Sequence, residues 1–361
     1  MGGKDAGWKT GAPSNALRLL TGRCGVKLSK ELKMIRLFPK TYSLVILLVI
    51  LLAVTALAVD DPVDLLPRDH EVGSWVKDGP EGVYFGFSLD RILDDNVRRV
   101  VEDYGLASLL SQYYILDSDH IEIRIYEMTS PEQAYGLYSV FADIEPKPED
   151  TGISIQEKDI TKTRTVPQEM YVVSETEVYL LGDNFFVWIF AYQPGHPIDL
   201  MMFANKIQNK FNSAGGNISG MKPLEREDKI FGSERLIGGY NALGLYLQVG
   251  NFDPFLLGQE GVRCLQADYR LKSGKLFRQL VISYPDEEVS KQAYSAFTKW
   301  TEDFNYLKRV NYADTIGSVV AKSEDGRYIA GFRDGVYLRV FYSFESLDEV
   351  KTILASYMRR A

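Results

Sequence analysis

Ile121–Phe141, IEIRIYEMTSPEQAYGLYSVF, decides the fold. Ile121, Ile123 and Ile125 alternate with Glu122, Arg124 and Tyr126, the period of two that a strand imposes. Ser130, Pro131 and Gln133 then mark a helix start. A serine cap precedes a proline at the first helical position, and a glutamine stands three residues after the cap, as in a capping box. Ala134, Tyr135, Tyr138 and Phe141 follow at helical spacing. The stretch predicts one strand running straight into one helix.

A copy returns further along. Leu276–Tyr284 has the strand pattern, Pro285 and Asp286 open a helix, and Ala293, Tyr294, Phe297 and Trp300 form its apolar stripe, so that Gln133-Ala134-Tyr135 maps onto Gln292-Ala293-Tyr294. A hairpin precedes each strand, turning at Asp117–Asp119 in the first copy and at Ser273-Gly274 in the second. Each copy also ends alike. Phe185–Tyr192 leads to a helix near Ile198–Phe211, and Val336–Tyr342 leads to one over Leu347–Met358, where Ser346 and Glu349 make a capping box. The repeated order predicts an α+β protein of two similar halves. Each half is expected to be an antiparallel sheet with helices packed on one face, as adjacent strands followed by helices imply.

Working outward, Ser88 is placed to cap a helix carrying Ile92, Leu93, Val97, Val100, Val101 and Tyr104, with Gly105 at its end. Glu145–Asp150 has the composition of an exposed, proline-bearing loop, and Ile153–Gln156, Met170–Val173 and Glu177–Leu181 are strand-like. Ala214-Gly215-Gly216 suits a linker. The divisions expected are residues 1–58, 59–214 and 221–361.

The first division is a leader. Thr41–Val59 is nineteen residues without a charge, preceded by Lys27, Lys30, Lys33, Arg36 and Lys40, and Ala56-Leu57-Ala58 has the small-x-small cleavage pattern. This predicts either a cleaved signal peptide or an uncut membrane anchor helix at residues 41–59, the only membrane contact expected. Both place the remainder outside the cytoplasmic membrane, periplasmic or extracellular. Met34 offers an alternative start with an adequate basic leader. Charge follows the same division. Residues 1–58 carry nine Lys/Arg against two Asp/Glu, and the remainder carries 32 against 47, a net of −15. So acidic a body is a poor partner for nucleic acid. Only Cys264 follows the leader, so neither an internal disulfide nor a lipobox is expected, and the core must hold the body together.

The body also resembles an uncharacterised family of exported bacterial proteins, known as a domain of unknown function. The matching residues are Leu66-Pro67 with Trp75, Asp103-Tyr104-Gly105, and above all Tyr126-Glu127-Met128, Ser130-Pro131, Ala134-Tyr135-Gly136 and Tyr138-Ser139. The likeness runs over most of residues 62–361 and implies an envelope location; it supplies no activity. Where the family tends to have glycine and alanine in its first helix, this chain has Asp94-Asp95-Asn96. A function carried by that helix is therefore not expected here.

No motif names a chemistry. His70, His120 and His196 are far apart, two of them following an aspartate, and no pair has ligand spacing on one element, so no metal ligand is assigned. There is no nucleophile elbow and no phosphate-binding glycine loop; Gly238-Gly239 marks close backbone approach or a bulge. Cys264 has the setting of a small buried residue. Asp94-Asp95 and Glu287-Glu288 complement helix N-termini. Most of the 22 tyrosines fall on strand or helix stripes and suit core packing. The candidate binding residues are Glu122, Arg124 and Tyr126 on the outward face of the central strand, with a solvated cross-strand pair as the plainer reading. No catalytic residue and no cofactor are assigned. The expectation is an exported, non-enzymatic binding or envelope-support protein with a small-molecule or protein ligand. The alternatives are an envelope hydrolase with its site between the halves and a membrane-tethered accessory subunit.

Overall fold

The computed structural model describes residues 61–142, 170–172, 174–212, 222–224, 228–230, 232–250, 252–310 and 317–358. The leader expected at 1–58, the loop expected at 145–150, the strand expected at 153–156 and the linker expected at 214–216 lie outside the described residues. No helix among the described residues is long and apolar enough to cross a membrane.

The opening stretch forms strand β4 (Asp119–Met128) and helix α2 (Pro131–Phe141). The Ser130 hydroxyl accepts the Gln133 N–H at 3.3 Å, so the serine caps as expected. The Gln133 side chain, however, accepts from the Ser130 and Thr129 hydroxyls instead of closing the box on the Ser130 N–H. Ahead of β4 come β1 (Val76–Lys77), β2 (Gly82–Tyr84), α1 (Asp95–Asp103) and β3 (Leu106–Leu116). After α2 come β5 (Met170–Val172), β6 (Glu177–Gly182), β7 (Phe185–Ala191) and α3 (Pro197–Gln208). The second half holds β8 (Arg235–Ile237), α4 (Tyr240–Gly244), β9 (Arg263–Arg270), β10 (Leu276–Ser283) and α5 (Glu287–Asp303). It ends with β11 (Leu307–Arg309), β12 (Ser318–Ser323), β13 (Tyr328–Asp334), β14 (Tyr337–Phe344) and α6 (Leu347–Met358).

Asp94, not Ser88, caps α1. Its carboxylate accepts the N–H groups of Asn96 and Val97 at 2.9 and 3.0 Å, while Ser88 sits inside a separate 3₁₀ turn, Gly86–Arg91. A charged oxygen that reaches two of the orphan N–H groups outcompetes a hydroxyl that reaches neither. Gly105, at φ +67°, terminates the helix as expected.

Two antiparallel sheets result, and their strand order repeats. The first runs β3-β4-β7-β6-β5, with β1 and β2 both paired to β3; the second runs β9-β10-β14-β13-β12-β11, with β8 beside β9. In both, a hairpin leads into a helix, and the last strand of the half returns to pair with the second strand of the hairpin.

The helices do not keep to one face of each sheet, and this corrects the expectation. In the first sheet α2 covers Tyr126, Met128 and Phe186. On the other face α3 packs Leu200, Phe203 and Ile207 against Ile121, Ile123, Ile125 and Val187, joined by Leu65, Leu66 and Trp75 of the lead-in segment. The second sheet is likewise covered, by α5 through Ala293, Phe297 and Trp300 and by α6 through Val350, Ile353 and Leu354. The strands demand it. Phe185–Ala191, FFVWIFA, is apolar on both faces, and either face left in water forfeits its burial energy.

The described residues belong to one compact unit, Val59–Ala361. The halves are fused along a seam where α1 meets α4 and α2 meets β8. Tyr104, fully buried, donates its hydroxyl to the Leu236 carbonyl at 2.8 Å, and Tyr135 donates to the Glu234 carbonyl at 3.1 Å. The Asp103 carboxylate caps α4, accepting the Ala242 N–H at 2.9 Å and the Asn241 amide at 2.8 Å. Burial pushes Asp103 up, and those two bonds oppose the rise. Gly238-Gly239 is the predicted close approach. A Cβ at Gly238 would lie 2.6 Å from the Tyr104 ring, and one at Gly239 would lie 2.6 Å from the Asp103 carboxyl carbon.

Candidate functional site: a buried ion pair beneath an aromatic shelf

Glu122, Arg124 and Tyr126 do project together from β4, but the face they share is not the open one the alternation suggested. Glu122 and Tyr126 are fully buried, and the Arg124 side chain is 16% exposed. The β4 register sets Tyr126 between Leu109 and Phe186, Arg124 between Ser111 and Trp188, and Glu122 between Tyr113 and Phe190. A charged residue in such surroundings has to be paired.

Pairing is complete for Glu122. Arg124 donates to it from Nε at 2.6 Å and from Nη2 at 3.3 Å, Tyr192 donates its hydroxyl at 2.7 Å, and Ser111 donates at 2.8 Å. Burial pushes the Glu122 carboxyl up, yet these donors outweigh it and hold the group below its ordinary value. Glu122 is therefore an ionised, acceptor-only group at neutral pH. The Arg124 guanidinium lies 5.5 Å from the Trp188 ring centroid and 5.1 Å from that of Phe190, so its faces rest on π-clouds while its edge meets the carboxylate. The Tyr126 hydroxyl is buried beside Arg124; burial pushes it up to about 12, and the guanidinium opposes the rise.

Toward the β3–β4 turn the face opens. Trp188 and Phe190 are half-buried, Tyr113 is 37% exposed and Tyr192 is 53% exposed. Tyr113 and Tyr192 stack at 6.3 Å, Tyr192 meets Phe190 at 5.3 Å, and Phe190 meets Trp188 at 4.8 Å. Four rings thus form a shelf above a fixed charge pair.

The second half shows what the fold itself requires at these positions. The helix caps Ser130 and Asp286 and the strand register align the halves three residues away from the expected Gln133–Gln292 match, setting Tyr126 on Ile282 and Arg124 on Leu280. Leu280 pairs with Val340 as Arg124 pairs with Trp188. The second sheet therefore builds the same ladder from two fully packed aliphatic residues. Arg124 and Trp188 are not demanded by the architecture.

The other residues weighed from sequence fall elsewhere. The His196 side chain is 15% exposed and clamped between Asp119 at 2.9 Å and Asp199 at 3.1 Å, with its ring edge-on to Trp75 at 5.3 Å. Burial lowers its affinity for a proton, the two carboxylates raise it more, and the net shift is upward. His120 lies 3.9 Å from Asp78, and His70 lines a separate pocket. The imidazoles do not share a centre, and no group of three or more His, Cys, Asp or Glu among the described residues is arranged to hold a metal. Cys264 is buried, and burial pushes its thiol well above the ordinary value.

Sequence reasoning missed Ser111, Trp188, Phe190 and Tyr192. Trp188 and Phe190 of β7 and Tyr192 just past its end do alternate in a stretch that reads as uniformly apolar, so the available signal was three aromatics at a spacing of two. The chain matches no family model, no curated protein and no solved structure.

Proposed function

We propose that this is an exported binding protein that takes a flat-faced polar ring, a sugar unit of an envelope glycan, on the shelf formed by Tyr113, Trp188, Phe190 and Tyr192. One observation carries the reading: the first half places Arg124 and Trp188 where the second half builds the same sheet from Leu280 and Val340. Aromatic faces give a sugar ring a large contact area at small entropic cost, and the polar edges of Tyr113 and Tyr192 meet its hydroxyls. Glu122, ionised and held by three donor side chains, suits a fixed electrostatic floor better than proton transfer. The envelope hydrolase with a site between the halves draws less support, because Tyr104, Gly136, Leu236 and Gly238 fill the seam where that site would lie. Tethering to the membrane depends on residues 41–59.

Intrinsic fluorescence tests the proposal. Of the four tryptophans, Trp8 lies outside the described residues and Trp75 and Trp300 are 1% and 4% exposed, so Trp188 is the reporter at the shelf. Titration with soluble peptidoglycan fragments and with chitin oligosaccharides is expected to give a saturable change that Trp188→Phe abolishes. Tyr192→Ala is expected to weaken binding about tenfold, the ~1.4 kcal/mol of one lost ring contact. A flat titration with both probes ends the sugar reading.

A further inference from the structure

On the other face of the first sheet from the shelf, where Tyr114 rather than Tyr113 points, the lead-in segment and the residues just past α3 line an open pocket of about 620 Å³. Its wall is built firmly. Tyr114, fully buried, donates its hydroxyl to the Pro67 carbonyl at 2.7 Å, and the His70 N–H donates to the Trp75 carbonyl at 2.9 Å. His70 sits at φ +62°, a left-handed conformation that costs energy for a histidine and is held here by its surroundings.

The acids of the wall are engaged in holding the wall. Glu71 accepts the Arg68 N–H at 2.9 Å and meets Lys206 at 3.5 Å, and Asp69 accepts the Lys77 N–H at 2.8 Å. Asp64 is exposed. The bases are not so engaged. Among the described residues the Arg68, His70 and Lys77 side chains make no hydrogen bond, and neither Arg68 nor Lys77 forms an ion pair with a carboxylate. Lys210 donates one N–H to the Leu66 carbonyl at 2.9 Å, and an ammonium has two more. Burial pushes Lys210 down, Glu71 and Asp64 pull it back, and Arg68 and Lys77, which line the same pocket, push it down again. Asp64, Asp69 and Glu71 line the same pocket, and it is Arg68 and Lys77, the two cations with no carboxylate at ion-pair distance, that a bound anion would take as partners.

We propose that this pocket binds a small organic oxyanion, its carboxylate or phosphate group held by Arg68, Lys77 and Lys210. The volume falls in the ordinary range of small-molecule sites and exceeds a bare phosphate, so the anionic group rides on a larger body that Val63 and Leu66 can meet. Arg68 supplies the planar fork and the two lysines the point charges.

The test uses the full-length chain, with inorganic phosphate and citrate as probes at constant ionic strength set by sodium chloride. Thermal unfolding is expected to shift upward saturably with at least one probe, and the probe that works tells phosphate from carboxylate. Lys210→Met and the double variant Arg68→Ala/Lys77→Ala are each expected to weaken that probe at least tenfold. Lys291→Met, which removes an exposed charge from α5, is expected to leave it unchanged. Should Lys210→Met fail to fold, the double variant, on the pocket rim, carries the test alone. No saturable response to either probe overturns the proposal. A response that persists in the double variant, or falls equally with Lys291→Met, overturns it as well.

Discussion

Replacing Arg124 by methionine should reverse the pH dependence contributed by Glu122. In the wild-type protein the Glu122 carboxyl is held below its unfolded value, so its stabilisation is present above that value and is lost as pH falls through the folded pKa. Without Arg124, the largest lowering contact and the guanidinium charge disappear together, with their bonds at 2.6 and 3.3 Å, and Tyr192 and Ser111 remain against full burial. Burial is already the largest single influence on this group. The folded pKa then rises above the unfolded one, and the contribution becomes one that is present at low pH and lost as pH rises. At pH 7.5 the variant leaves an uncompensated buried carboxylate, which costs about 3–5 kcal/mol. At pH 4.5 Glu122 can take up a proton, and the penalty falls to roughly 1–2 kcal/mol of lost hydrogen bonding and packing. Urea unfolding monitored by circular dichroism at both pH values measures the difference. The double variant Glu122→Gln/Arg124→Met should lose the pH dependence and recover about 2 kcal/mol at pH 7.5, since no charge remains to be stranded. An Arg124→Met penalty that is the same at both pH values would refute the reasoning.

His196 should oppose this trend in the wild-type protein. Its folded pKa is raised, so its stabilisation is complete below the unfolded value and fades as pH rises through the folded one; His196→Gln should flatten the urea midpoint over that range. At the seam, Gly238→Ala forces a Cβ to within 2.6 Å of the buried Tyr104 ring and should cost about 1–3 kcal/mol by thermal unfolding. Tyr104→Phe should cost about 1–2 kcal/mol, because the Leu236 carbonyl loses its donor in a place water does not reach. Cys264 should stay inert to an aromatic disulfide reagent in the native state and react only on unfolding, since it is buried with its thiol pKa raised.

The strand-to-helix stretch, the duplicate and the final capping box were legible because they are written in local spacing. Alternation, a serine before proline and a glycine after a helix act over a few residues, and the structure follows them at Ser130, Gly105 and Ser346. The start of α1 was misplaced for a local reason too: Asp94 competes with Ser88 for the cap, and a carboxylate reaching two N–H groups wins. Coverage of both sheet faces had a signal in FFVWIFA, but alternation in β4 pointed the other way. Period two distinguishes the faces of a strand without saying which face meets water.

By itself, the sequence determined that the body is two copies of one α+β pattern, since hydrophobic spacing and cap residues are set by chain neighbours. It also determined that Glu122, Arg124 and Tyr126 share a face. Only the tertiary structure decided that this face is buried and that Trp188 and Tyr192 come to it from some 65 residues away along the chain. It alone turned Arg68, Lys77 and Lys210 toward one pocket. Contacts between distant segments depend on how sheets and helices stack in space, and no short-range pattern in a chain encodes that distance.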